Sequence, residues 1–197
     1  EELKYLDGLL KESPLHLLVN HTRRFDPKHQ DLAAMIQQKM FGGMVMGHCY
    51  YYGGWKNNGA HLIDTLRMFF EVEPVIRSVT PGKPGRPSDP CWDVELSVEG
   101  APIFLQSFDE KYYQLFEMNL FYEFGRVLIK DIGRSIIVES MKIDSLDQRV
   151  LKSYAGSPWQ GLDNPMYHAV DAIANFLKGE SLLDETGATL PEVRKSM

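Results

Sequence analysis

Polar groups that could do chemistry concentrate in one stretch of this 197-residue chain. It runs Tyr50-Tyr51-Tyr52-Gly53-Gly54-Trp55-Lys56-Asn57-Asn58-Gly59-Ala60-His61-Leu62-Ile63-Asp64. If a helix begins near Asn57, then Asn57 and His61 are four apart and share a face, and Asp64 lies one turn further along that side. A helix start also offers unpaired backbone N–H groups, and the aromatics and glycines before it could floor a pocket for a polar ring. A histidine held there can act as acid or base near neutral pH, or bind a substrate hydroxyl. An asparagine cap and a histidine bonded to backbone account for the same spacing, so both readings stand at this level. Tyr51 and Trp55 have the flat faces that stack on sugar rings, although aromatics beside a helix also serve as core.

Other chemistries are missing. No two of the sixteen glycines are separated by a single residue, so the dinucleotide-binding G-x-G-x-x-G does not occur. Phosphate-loop, zincin and serine-hydrolase motifs are absent too. The six histidines lack ligand spacing, and no metal site is expected. Two cysteines, Cys49 and Cys91, cannot make a disulfide framework and read as reduced buried thiols of a cytoplasmic protein. The formal charge of −6 argues against nucleic acid as a partner, and no apolar run is long enough to span a membrane.

The elements that must position the cluster follow from periodicity. A first helix stops at Lys11-Glu12-Ser13-Pro14 and feeds a short strand over Leu15 to Asn20. Asp26 as N-cap, Pro27 at the first helical position and Leu32, Met35, Ile36 and Met40 at helical spacing predict a second helix. A strand over Met44 to Tyr52 leads through Gly53-Gly54 to a third helix, capped by Asn57 or Asn58, with Leu62, Ile63, Leu66, Phe69 and Phe70 on one face. Six strands follow: Val75 to Val79, Asp93 to Val98, Ile103 to Phe108, Leu115 to Phe124, Arg126 to Lys130 and Ser135 to Ile143. Their short connections predict a largely antiparallel meander. The proline-rich 80–90 segment is a stiff loop within it. A last helix over Asn164 to Leu177 would bury Val170, Ile173, Ala174 and Leu177. The fold class expected is α+β, an open-faced, largely antiparallel sheet with helices on one face. Phe104, Phe108, Phe116, Met118 and Tyr122 suggest that neither face is purely polar, and a second copy could cover the open one.

The order Val19-Asn20-His21-Thr22-Arg23-Arg24-Phe25-Asp26-Pro27, a helix, Gly42-Gly43, a strand, then Asn57-Asn58-Gly59-Ala60-His61-Leu62-Ile63-Asp64 resembles the glucose-fructose oxidoreductase, inositol dehydrogenase and rhizopine-catabolism (Gfo/Idh/MocA) family. The later Val75-Ile76-Arg77-Ser78-Val79 and the meander extend the likeness over nearly the whole chain. Such proteins pair an N-terminal Rossmann domain with a C-terminal α/β domain on an open sheet. The resemblance therefore implies that residues 1–25 are a remnant of the nucleotide-binding domain and 26–197 form the substrate-binding and oligomerisation domain. The parent would use NAD or NADP to oxidise or reduce a hydroxyl carbon of a sugar, nucleotide-sugar or polyol. This piece alone would bind no cofactor and be inactive.

The resemblance also assigns roles. His61 falls on the family's catalytic histidine, and Asn57 falls where many members carry aspartate; an amide bonds a hydroxyl but does not exchange a proton as a carboxylate does. Beside these, Tyr51, Trp55, Asn58 and Asp64 are candidates to line the substrate, and Arg23 to reach cofactor or substrate or to stand as a solvated loop charge. The family's Glu-Lys-Pro tripeptide is absent. A non-catalytic regulator that binds sugar or cofactor, or an oligomerisation module, is the alternative that Asn57 keeps open. Partners implied are a sugar-like small molecule and further copies of the chain, as a homodimer or higher homo-oligomer.

Overall fold

Residues Phe116, Met118, Leu120 and Tyr122 alternate with Glu117, Asn119 and Phe121, and the strand they form buries the first set completely or nearly so. This period of two is what makes one face of the sheet a core and leaves the other half-covered. The computed structural model of the protein describes residues 18–83, 85–180, 188 and 189, together with 5, 8 and 9. Of the helix expected before Pro14 only residues 5, 8 and 9 are among the described ones, and the first half of the strand expected over Leu15 to Asn20, residues 15–17, falls outside them.

The described chain runs β1 (Leu18–Val19), α1 (Thr22–Phe25), α2 (Pro27–Gln37), β2 (Met44–Tyr51), a π-helical turn (Trp55–Gly59), α3 (Ala60–Phe70), β3 (Val75–Pro81), β4 (Trp92–Val98), β5 (Ala101–Ser107), β6 (Glu117–Tyr122), β7 (Gly125–Lys130), β8 (Ser135–Ile143), β9 (Arg149–Ser153), β10 (Trp159–Gln160), α4 (Pro165–Leu177) and β11 (Ala188–Thr189). Nine of these strands make one sheet, ordered β10-β8-β7-β6-β2-β5-β4-β3 with β9 also on β8. Helices α2 and α3 cover one face, and their Leu32, Ile36, Leu62, Leu66 and Phe69 interlock with Leu96, Ile103, Leu105 and Leu120 of the sheet. The architecture is the α+β open sheet that periodicity predicts.

The meander is interrupted. Strand β2 enters between β5 and β6, parallel to β5 with Cys49 opposite Leu105 and antiparallel to β6 with Cys49 opposite Met118. A strand buried in mid-sheet must be apolar on its core side, and Gly47, Cys49 and Tyr51 are all buried. This places the end of β2, and the cluster that follows it, at the centre of one sheet edge. The pair β9 and β10 was not expected, and it extends the sheet beyond β8.

Of the apolar residues expected on the two faces, Phe116, Met118 and Tyr122 lie on the helix-covered one. The open face presents His48 stacked on Phe104 and Arg126 reaching Asn119 and Glu139 over the Phe121 ring. One further expectation is corrected. In α4 the inward residue is Ala169, while Val170, Ile173 and Leu177 are exposed. That helix is apolar on more than one side, so periodicity does not choose its buried stripe. Among the described residues no helix is long and apolar enough to cross a membrane.

Candidate functional site

Gly53 and Gly54 leave β2 with positive φ, 74° and 117°, conformations that a side chain resists. The chain can therefore turn sharply into a π-helical turn, where Ala60 N–H bonds to Trp55 O. Single π turns recur at functional sites because they re-aim side chains within a helix. Neither Asn57 nor Asn58 caps the turn. Asp89, from the proline-rich loop, accepts from the backbone N–H of Lys56 at 2.8 Å and of Asn57 at 3.0 Å. The N–H groups expected to be free at this helix start are thus occupied by a carboxylate 32 residues away. Gly54 is also required by space, since a Cβ there would lie 2.2 Å from Asp89 Oδ2.

Asp89→Ala is expected to lower stability by about 1 kcal/mol, the usual value of a helix cap, and to speed amide exchange at Lys56 and Asn57. Unchanged exchange at both amides would show that the cap does not form in solution.

The first residue of real chemical interest is His61, half-buried on the opening turn of α3. Its Nδ1 lies 3.1 Å from Nδ1 of His21, with the two rings nearly perpendicular at 83° and centroids 5.0 Å apart. Behind this pair Asp64 is 2% exposed and is held by Arg24, whose Nε donates to both carboxylate oxygens at 3.0 Å while Nη2 stands 3.0 Å from Oδ1. His21 Nδ1 is also 3.8 Å from Asp64 Oδ2. His61 and Asp64 stand one turn apart on α3, and His21 and Arg24 join them from outside that helix. Both come from the His21-Thr22-Arg23-Arg24 segment, which α1 folds against the start of α3.

The electrostatics keep these imidazoles neutral. Burial, reinforced by His21 and the Arg23 cation, brings His61 down to about 4. His21 is lowered by burial as well, against the pull of Asp64. A third imidazole, His29, is lowered by burial although Asp26 lies 2.6 Å from its Nδ1. The unfolded chain thus binds more protons than the folded one as pH falls below the ordinary histidine value of 6.5. Stability is present above that value and is lost progressively toward the folded value near 4 for His61. Thermal melts are expected to show a lower Tm at about pH 5 than at about pH 7.5. Equal values would mean that these rings are not buried neutral.

The remaining candidates take other places. Tyr51 is fully buried, its hydroxyl donating to Trp92 O at 2.6 Å and accepting from Trp92 N–H at 2.7 Å, so its ring is not available to stack on a ligand. Trp55 meets Tyr51 edge-on at 5.8 Å, and its ring covers Gly59, where a Cβ would clash at 2.6 Å. Asn58 donates to Tyr52 O at 2.8 Å and ties the turn to the strand end. Asn57 is exposed. Arg23 is neither solvated nor aimed outward: its guanidinium lies 4.0 Å over the Phe116 ring and donates to Ile132 O at 3.0 Å. Asp64 is buried, with both oxygens held by Arg24. Among the described residues no group of three His, Cys, Asp or Glu side chains is placed to hold a metal ion.

No family model and no curated protein matches the chain. Its fold is shared with solved structures of longer chains. One is a protein provisionally assigned as an NADPH-dependent oxidoreductase from Desulfitobacterium hafniense, with TM-score 0.74 and 13% identity over 98% of this chain and 63% of that one. A second is KijD10, a 3-ketoreductase from Actinomadura kijaniata in complex with NADP, with TM-score 0.69 and 13% identity over 98% and 62%. A third is a super-repressor mutant of Gal80p from Saccharomyces cerevisiae, with TM-score 0.68 and 11% identity over 97% and 63%. The chain therefore spans a little under two thirds of the length of these structures. At such identities the likeness is one of fold, an α+β open sheet shared with part of each of these longer chains.

Proposed function

We propose that the chain is the substrate-binding portion of an NAD(P)-dependent oxidoreductase of the Gfo/Idh/MocA type, acting on a hydroxyl-bearing or carbonyl carbon of a sugar, nucleotide-sugar or polyol. The observation that carries this reading is His61, a neutral, partly accessible imidazole supported from behind by His21, Asp64 and Arg24 at the edge of an open sheet. The shared fold supports it, as does the description of KijD10 as a 3-ketoreductase crystallised with NADP and a TDP ligand.

No glycine pair has the G-x-G spacing and Arg23 is turned inward. The dinucleotide would supply hydride chemistry from a domain preceding Glu1, of which residues 1–25 would be the end. This chain's share is to bind the substrate through His61 and Asn57 and to hold the reacting oxygen in place. Titrating the 197-residue chain with NADH is expected to give no saturable change in its fluorescence, whereas the protein joined to its nucleotide domain should turn over a sugar or nucleotide-sugar. Micromolar binding to the chain alone would overturn the domain division. Failure of the joined protein to oxidise or reduce any member of a panel of such substrates would overturn the reading.

The second reading is a regulator that binds the same ligands without turning them over. Asn57 in place of an acid favours it, as does the likeness to a protein described as a repressor. Binding of sugar and dinucleotide without turnover would select it. In either case two copies would pair through the open face, where Phe104, Phe121, Leu128 and Ile137 are half-buried. Sedimentation is expected to show a dimer.

A further inference from the structure

We propose that His21 holds His61 in the neutral tautomer that carries its proton on Nε2, so that His61 meets the substrate as a hydrogen-bond donor. The inference rests on the reading of His61 as a substrate contact and adds His21 as the residue that sets its chemical form.

Two nitrogens of neutral imidazoles 3.1 Å apart must share one proton, one ring donating and the other accepting. Which ring donates is decided by what else faces each nitrogen. Nδ1 of His21 also faces Asp64 Oδ2 at 3.8 Å, and Asp64 is a carboxylate pinned by Arg24. An N–H pointing between a carboxylate and an acceptor nitrogen is attracted by both, whereas a lone pair there is repelled by the carboxylate. The other side of the ring agrees. His21 is 6% exposed, and its Nε2 is buried with no hydrogen-bond partner. A buried N–H without an acceptor is the rarer and costlier state in folded proteins, so Nε2 is the bare nitrogen and Nδ1 carries the proton. His21 then donates from Nδ1, His61 accepts at Nδ1, and the single ring proton of His61 resides on Nε2.

The consequence is a change of role. A histidine with Nε2–H cannot take a proton from a substrate hydroxyl at that nitrogen, and giving its proton away would leave an imidazolate. It can polarise a carbonyl oxygen and stabilise negative charge as it builds there, which is how neutral imidazoles serve in other reducing or enolising sites. The geometry therefore suits a substrate that enters as a ketone better than one that must be deprotonated. Among the groups facing His21, three arginines, Arg23, Arg24 and Arg67, oppose its protonation while Asp64 favours it, and the neutral pair persists.

The test is nitrogen NMR of the full chain labelled with ¹⁵N-histidine, in which pyrrole-type and pyridine-type ring nitrogens are distinguished directly. The expected spectrum has His61 protonated on Nε2 and His21 on Nδ1. His21→Asn, whose amide nitrogen occupies nearly the place of Nδ1, should keep His61 in that form; His21→Leu should turn it into a mixture. In the joined enzyme the leucine variant should lose about tenfold in kcat, and the asparagine variant should stay within about twofold of the parent. A wild-type His61 protonated on Nδ1 overturns the proposal, as does an unchanged tautomer in His21→Leu. Should the leucine variant not fold, the wild-type spectrum alone decides. Because the tautomer is read without substrate or dinucleotide, its failure is separate from failure of the oxidoreductase reading, which would appear as the assigned tautomers in a protein that turns over no sugar.

Discussion

His61→Ala is expected, on the proposed oxidoreductase reading, to lower kcat about 100-fold or more in the protein joined to a nucleotide domain, the usual scale for loss of a positioned proton-handling or donor group. KM should change less, because the donor acts chiefly where charge develops on the substrate oxygen. Stability should hold to within about 1 kcal/mol, since the His61 side chain is half-buried and its ring is in contact with His21. Steady-state kinetics beside a thermal melt separates the two cases. A variant with normal kcat and normal KM would remove His61 from the site, and a variant with normal kcat but a large drop in Tm would make it a structural helix-start residue. Asn57→Asp adds a further arm. Asp89 already accepts the Asn57 backbone N–H, so a new carboxylate there meets like charge, and a rise in activity against that penalty would point to an acid recovered.

The fold was legible wherever one residue period dominates. In β6 and α3 the apolar residues recur at two and at three to four positions; α3 buries its expected face, and β6 forms over Glu117–Tyr122 within the expected Leu115 to Phe124, with Phe124 left exposed beyond its end. Legibility failed in α4, where Val170, Ile173 and Leu177 are as apolar as the side that packs, and only the contact with α1 decides. It failed again for the place of β2, because periodicity identifies a strand without saying between which neighbours it lies. At the candidate site, the spacing of His61 and Asp64 gives only that they lie one turn apart on α3. The residues that support them are far off in the chain: His21 and Arg24 lie 40 residues before their partners, and Asp89 lies 32 after Asn57. His21 belongs to the stretch from Val19 to Pro27 that carries the family resemblance, yet nothing in a linear order says that two histidines will face each other across a turn. Arg23 and Tyr51 show the converse, since residue types suited to a ligand are equally suited to bridging buried backbone.

Asp64→Ala is expected to be the most destabilising single change at the site. The carboxylate is 2% exposed and takes three contacts from Arg24 at 3.0 Å, a fork that matches the geometry of guanidinium and carboxylate. Removing one partner of a buried pair costs about 3–5 kcal/mol. The Arg24 side chain is 14% exposed, which places this pair at the lower end, about 3 kcal/mol. For a chain of this size that corresponds to a fall in Tm of about 6–12 °C. The double variant Arg24→Leu with Asp64→Leu should be less damaged than Asp64→Ala alone, since no buried guanidinium is then left facing an absent carboxylate. The loss should also reach His61. Without Asp64 nothing negative favours the proton on His21 Nδ1, so the tautomer of His61 should relax and kcat should fall even in the fraction that stays folded. Denaturation of the two single variants and the double variant gives the coupling energy directly. An Asp64→Ala protein within about 1 kcal/mol of the parent would show that the Arg24 fork is not formed in solution and would take away the support on which the His21 and His61 arrangement rests.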